Sequence, residues 1–315
     1  MRQQLFEQLN RPLWEDLRGW LEDRPTLNTE DVPPAYRQLC HHLAVARERH
    51  YGPILVEQLQ QLALRLHQRI YGQRGEGLPG ALRFLWRELP RLARSEWRLV
   101  AVSSLLFFGA WIAAFLLVRA QPNLVHLMLS PAESAKYVQM YDPKTPIAGA
   151  TGATRDVMMF GWYILNNIGI DFQIFASGLL AGVGPLFFLP FNGLHGGMVM
   201  AHLTNHGLTA TFYGFISGHS SFELIGAVLS GAGGLRMGIS LMHPGRRSRL
   251  TALKEGARQG ARLLFGGAVL TFLAACIEGF WSANSLVPWK AKVAVGLVFW
   301  ALLSLWFLLG GRRSS

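Results

Sequence analysis

Apolar positions follow two different patterns along the chain, and each predicts a different kind of helix. In residues 1–98 they recur at helical spacing, most clearly as Leu55, Leu59, Leu62, Leu66 and Ile70, with Gln, Arg and His between them. A second helix is predicted around Trp14 to Leu21. A third opens at Pro33-Pro34, where proline suits a first turn, and runs through Tyr36, Leu39 and Leu43. Three amphipathic helices that bury their stripes together predict a cytosolic α-helical domain over 1–98. It is completed by a glycine-rich turn over 72–80 and a basic helix leading into the membrane.

From residue 99 the stripes give way to continuous apolar runs of roughly 18–22 residues, the length a ~30 Å hydrocarbon core requires at 1.5 Å per residue. The expected spans are 99–118, 168–190, 194–215, 219–241, 263–282 and 290–309. The third, amphipathic through His195, His202, Asn205 and His206, is the one least sure to cross completely. The fold class is therefore all-α: a polytopic membrane helix bundle of about six spans over 99–315, behind the N-terminal helical domain. The first residues hold no apolar h-region, so the first span is expected to serve as the insertion signal.

Charge adds orientation. The net +11 does not point to nucleic acid, because the Lys and Arg residues gather beside apolar spans. Arg83, Arg87, Arg91, Arg94 and Arg98 precede the first span. Arg246, Arg247, Arg249, Lys254, Arg258 and Arg262 follow the fourth, and Arg312 and Arg313 follow the sixth. Even numbers of crossings separate the three clusters, which predicts cytoplasmic N- and C-termini in a bacterial inner membrane. Lys290 and Lys292 are mild exceptions on the outer side. Two cysteines, Cys40 and Cys276, give neither a disulfide framework nor metal spacing. Glycines crowd the second and fourth spans, where they predict close helix approach, with a hinge or unwound segment as the alternative.

Ionisable groups at membrane depth carry the candidate chemistry, because each is costly there. Asp171 is expected just inside the outer end of the second span, His219 and Glu223 in the outer part of the fourth, and Glu278 near the outer end of the fifth. Asn166 and Asn167 stand one turn above Asp171, and His219/Glu223 share a helix face at four-residue spacing. Carboxylates gathered in a low dielectric require that one hold a proton or that a cation sit among them. A divalent metal on His219, Glu223 and Glu278 or Asp171 suits the donor types; helix cross-linking by the same groups, or proton and substrate handling, suits them too. No HExxH or comparable catalytic motif is present, so an enzyme is not the favoured reading. His202 and His206 are expected as a helix-bonding pair in the cytoplasmic half, and Arg236 as a snorkelling residue.

The run RDVMMFGWYILNNIGIDFQIFASGLLAGVGPLFFLPFNGLHGG (155–197) resembles the stage II sporulation protein M (SpoIIM) family of bacterial integral membrane proteins. HSSFELIGAVLSGAGGLRMG (219–238) is similar to that family's HGxxELxA segment, and LAACIEGFW (273–281) to its Ala-Ala-x-x-Glu segment. The N-terminal half is similar to longer members with a cytosolic helical extension. Ser220 and Pro185 depart from the family's usual glycine and threonine. The resemblance implies that Asn166, Asn167, His219, Glu223 and Glu278 are family positions, with Asp171 beside them. It also implies a membrane component that localises cell-wall-remodelling partners; the glycine-broken spans and the acidic and histidine groups leave a transporter or channel, or a metal-dependent membrane hydrolase, as the alternatives. The partners expected overall are the lipid bilayer, other membrane or cell-wall-remodelling proteins and a second copy of the chain.

Overall fold

The computed structural model describes residues 2–24, 26–28, 30–71, 77–144, 153–282, 284 and 286–312, without the side chains of Tyr71 and 153–157. Residues 72–76 of the expected glycine-rich turn lie outside them, as does Arg313. Among the described residues every regular element is helical. Two compact units divide the chain, Met1–Ala81 and Leu82–Ser315.

The first unit packs α1 (Gln3–Leu21), α2 (Val32–Glu48) and α3 (Pro53–Tyr71). Leu55, Leu59, Leu62 and Leu66, one stripe of α3, are buried against Phe6, Trp14, Leu17 and Leu39. Pro33 and Pro34 stand in the first turn of α2, where a missing N–H costs no helical bond. Trp14 Nε1 donates to His42 Nδ1 at 3.2 Å, tying α1 to α2. Burial, with the neighbouring His41 adding, holds the His42 imidazole below its ordinary value of 6.5. The folded unit thus binds fewer protons than the unfolded chain. This contribution is complete above pH 6.5 and is lost as pH falls below it. Pulse proteolysis of the full-length protein should find residues 1–81 more readily cut at pH 5.5 than at 7.5, and His42→Asn, which keeps an acceptor but cannot titrate, should flatten that difference. An equal pH response in the variant would remove His42 as its cause.

α4 (Gly77–Arg83) runs through a π turn at Phe84–Glu88 into α5 (Leu89–Ser95). Beyond these, the second unit contains four helices long and apolar enough to cross a membrane. They are α6 (Trp97–Ala120), α11 (Thr209–Met242), α12 (Arg249–Ile277) extended by a π turn at Glu278–Ser282, and α13 (Trp289–Leu309). Between α6 and α11 come α7 (Pro131–Tyr141), α8 (Ala153–Tyr163), a π turn at Ile164–Ile168, α9 (Gly169–Ala176) and α10 (Val183–Asn205).

α11 is the central post. It lies antiparallel to α12 with backbones almost in contact: a Cβ on Gly233 would sit 2.6 Å from the Gly260 carbonyl oxygen, and one on Gly267 would sit 2.7 Å from that of Gly226. Packing rather than hydrophobicity holds helices together in lipid, so side chains this small set the distance between them. α10 runs parallel to α6, with Gly193 on the Phe107 carbonyl, Gly197 on that of Trp111, and Asn205 Nδ2 donating to the Val118 carbonyl at 3.0 Å.

The basic clusters meet at one end of this unit. Arg94 donates to the carbonyls of Phe307 and Gly310 at 2.5 and 2.6 Å, capping the end of α13, and Arg262 pairs with Glu88 at 2.6 Å. Arg236 bonds Gln259 at 2.8 Å and pairs with Glu96 at 3.3 Å at this same end.

Helix boundaries in the middle of the chain fall elsewhere than the apolar runs suggested. The stretch 168–190 is broken over 177–182, where Ala181 (φ 54) and Gly182 (φ 82) take left-handed conformations and turn the chain back. Gly178 meets the Gly234 backbone there. The stretch 194–215 is broken in turn at His206–Leu208, with Gly207 at φ 73. The helix therefore starts at Val183 instead of 194, which carries His202 and His206 to the end beside Val118 and Arg119, away from the basic clusters. Each apolar run extended across a turn because the turn residues Leu179, Leu180, Ala181 and Leu208 are themselves apolar.

Candidate functional site

The polar residues collect where α11, the π turn after α12 and the start of α13 converge. Trp289 packs on Gly214 at this end of the bundle. Counting 1.5 Å per residue down α11 from that level, His219 lies roughly 7 Å and Glu223 roughly 13 Å inside.

His219 is 4% exposed. Its Nδ1 is 3.1 Å from Ser282 Oγ, which leaves Nε2 pointing at two carboxylates, 3.8 Å from Glu223 Oε2 and 4.0 Å from Glu278 Oε1. One donor atom from each of His219, Glu223 and Glu278 falls within 4.8 Å of the others. Glu278 is 7% exposed, and among the described residues its Oε2 has no hydrogen-bond partner. The π turn explains how Glu278 and Ser282 both reach His219. An extra residue per turn widens the helix end and swings these side chains toward α11.

Several participants were not singled out from the sequence. Ser282 is one. Lys292, buried in the first turn of α13, donates from Nζ to the Ser282 carbonyl at 2.6 Å, with its ammonium 6.0 Å from the Trp281 ring centre. That accounts for a lysine on the wrong side for a topology signal: it caps the end of α12 from within. Trp281 occupies the space above Gly218. Tyr141, at the end of α7, roofs the cluster through Phe212 and Phe215, and Phe215 meets the His219 ring edge-on at 5.5 Å. Burial, then the charge of Glu278, with Tyr163 and Glu223 also contributing, pushes the Tyr141 phenol above its ordinary value. It therefore stays a proton donor. No spacing rule links position 141 to 219, so only the fold could reveal it.

Asp171 stands apart. It is buried and accepts a 2.6 Å hydrogen bond from Thr271 Oγ1, at the level of Gly226, roughly 18 Å inside on the same count. This is deeper than the sequence suggested, because the break at 177–182 makes residues 169–176 the lower part of their segment. Asn166 donates to Asn167 Oδ1 at 2.8 Å on the π turn above it. The structure thus unites three of the four expected metal-type residues and assigns the fourth to a separate bond.

The model of the family described as Stage II sporulation protein M (SpoIIM) matches residues 102–283, more than half of the chain. The chain belongs to the SpoIIM family. The SpoIIM match contains all six expected polar positions and Ser282, while Lys292 lies beyond it. A domain of unknown function (DUF8413) matches residues 4–72, the region of α1 to α3 ahead of the SpoIIM part. No curated protein and no solved structure matches this SpoIIM-family chain at a significant level.

Proposed function

We propose that this SpoIIM-family protein is a bacterial inner-membrane scaffold that localises cell-envelope or peptidoglycan-remodelling partners. In this reading the chain crosses six times, through α6, residues 153–176, α10, α11, α12 and α13. The basic end faces the cytoplasm under the positive-inside rule. Residues 1–98 then form the cytosolic part and 99–315 the membrane domain.

The observation that carries the reading is the backbone-level packing of α11 on α12 and of α10 on α6. Helices held this closely along their length make a rigid frame. A transporter needs one group of helices to rock or slide against another. The first unit, with its own core, supplies a second docking surface, including a cleft of about 540 Å³ edged by Arg18, Arg65 and Arg69.

Two measurements test this. Purified protein in proteoliposomes should carry no ion flux above empty vesicles, and the full-length protein should co-purify with a peptidoglycan-remodelling enzyme from its source membrane. Flux that disappears in Glu223→Gln would overturn the scaffold in favour of transport.

A further inference from the structure

Two carboxylates and a histidine side by side within a membrane bundle need a proton or a counter-charge among them, and among the described residues no side chain supplies the counter-charge. His219 Nδ1 is taken by Ser282 Oγ. Lys292, the buried cation of this region, is engaged by the Ser282 carbonyl and the Trp281 ring. Glu278 Oε2, on a side chain more than nine-tenths buried, has no hydrogen-bond partner among the described residues.

We infer that His219 Nε2, Glu223 and Glu278 form a binding site for one divalent transition ion of the zinc class, clamping α11 to the end of α12. Four features support it independently of the scaffold reading. The donor set is one imidazole nitrogen and two carboxylates, which zinc accepts at about 2.0–2.2 Å. Tetrahedral ligands at that radius stand about 3.3–3.6 Å apart. The observed separations of 3.8 Å, 4.0 Å and at most 4.8 Å therefore close with side-chain movement of about an ångström. The Ser282 hydroxyl on Nδ1 fixes the ring and leaves Nε2 as the ligating nitrogen, the usual arrangement behind a metal-bound histidine. Two glutamates and a dication sum to zero, the cheapest state for charged groups at this depth.

Glu223 is the outward member of the site. Its side chain keeps 31% exposure whereas His219 keeps 5% and Glu278 9%, which makes it the least enclosed of the three ligands. Three protein ligands also leave a coordination position for water or an anionic headgroup.

The test uses the full-length protein in detergent, purified through a tag without histidines, loaded with ZnCl2 and gel-filtered before elemental analysis. About one zinc per chain is expected in the wild type, falling to background in Glu278→Gln and His219→Ala. Ser282→Ala should still bind, roughly 10–100-fold more weakly. Asp171→Asn should retain zinc, since Asp171 lies outside the site. X-ray absorption of the zinc-loaded wild type should show nitrogen and oxygen ligands without sulfur, a reading that does not depend on any variant folding. Folded wild-type protein without zinc, undiminished zinc in His219→Ala, or sulfur ligation through Cys40 or Cys276 would each overturn the inference. Because metal is read directly, its loss leaves the scaffold proposal standing, and flux in proteoliposomes leaves this one standing.

Discussion

Gly260→Val should abolish a stable membrane unit, whereas Gly161→Ala should leave it intact. A Cβ on Gly260 would sit 2.4 Å from the Gly233 carbonyl oxygen, and one on Gly233 would sit 2.6 Å from that of Gly260. Both obstacles are backbone atoms with no rotamer to yield, so α11 and α12 must separate along their longest shared face. Overpacking a well-fitted core commonly costs about 1–3 kcal/mol where side chains can shift. Here the larger valine meets fixed atoms, and the expected loss lies above that range. Nothing lies within 4 Å of a Cβ on Gly161, where alanine is neutral or favourable by up to about 1 kcal/mol of helix propensity. Thermal melting in detergent, with gel filtration to detect aggregation, distinguishes the two. A Gly260→Val protein that melts like the wild type would show that α11 and α12 are not held at this spacing.

The second large effect is expected at Thr271→Val. The substitution preserves shape and removes only the hydroxyl that donates to Asp171 Oδ2 at 2.6 Å. Asp171 is 1% exposed and beyond the reach of solvent, so only the neighbouring Ser230 hydroxyl is placed to make up part of the lost bond. An unsatisfied buried acceptor costs about 1–3 kcal/mol, and more when it carries charge. Thr271→Val should therefore lower the melting midpoint by several degrees. Thr271→Ser, which keeps the hydroxyl, should recover most of the loss. If the valine variant melts like the wild type and the serine variant does not, the threonine methyl matters and the hydrogen bond does not.

A lysine and a serine show how the candidate site escaped a reading by hydropathy. Lys292 reads as a topology exception and Ser282 as the last residue of the fifth apolar run. Their meeting depends on a π turn that has no compositional mark, since it inserts a residue without changing polarity. Asp171 shows the opposite error: its chemistry placed it with His219 and Glu223, while the turn at 177–182 set it deeper.

The linear pattern by itself determined that the regular elements among the described residues are helical, that the second part enters a membrane, and that α3 buries one leucine stripe. Periodicity and run length are local quantities, legible wherever one face or the whole helix must leave water. It also determined that the basic clusters share an end, because charge beside an apolar run reports depth. Tertiary structure decided the azimuth of each helix and the points where an apolar run turns back. It alone brought His219, Glu223 and Glu278 together and gave Asp171 to Thr271. The physical reason is that hydropathy in a membrane measures how deep a residue lies, whereas contact depends on which way each helix faces. That direction is set by glycine-sized gaps between backbones and by the extra residue of a π turn.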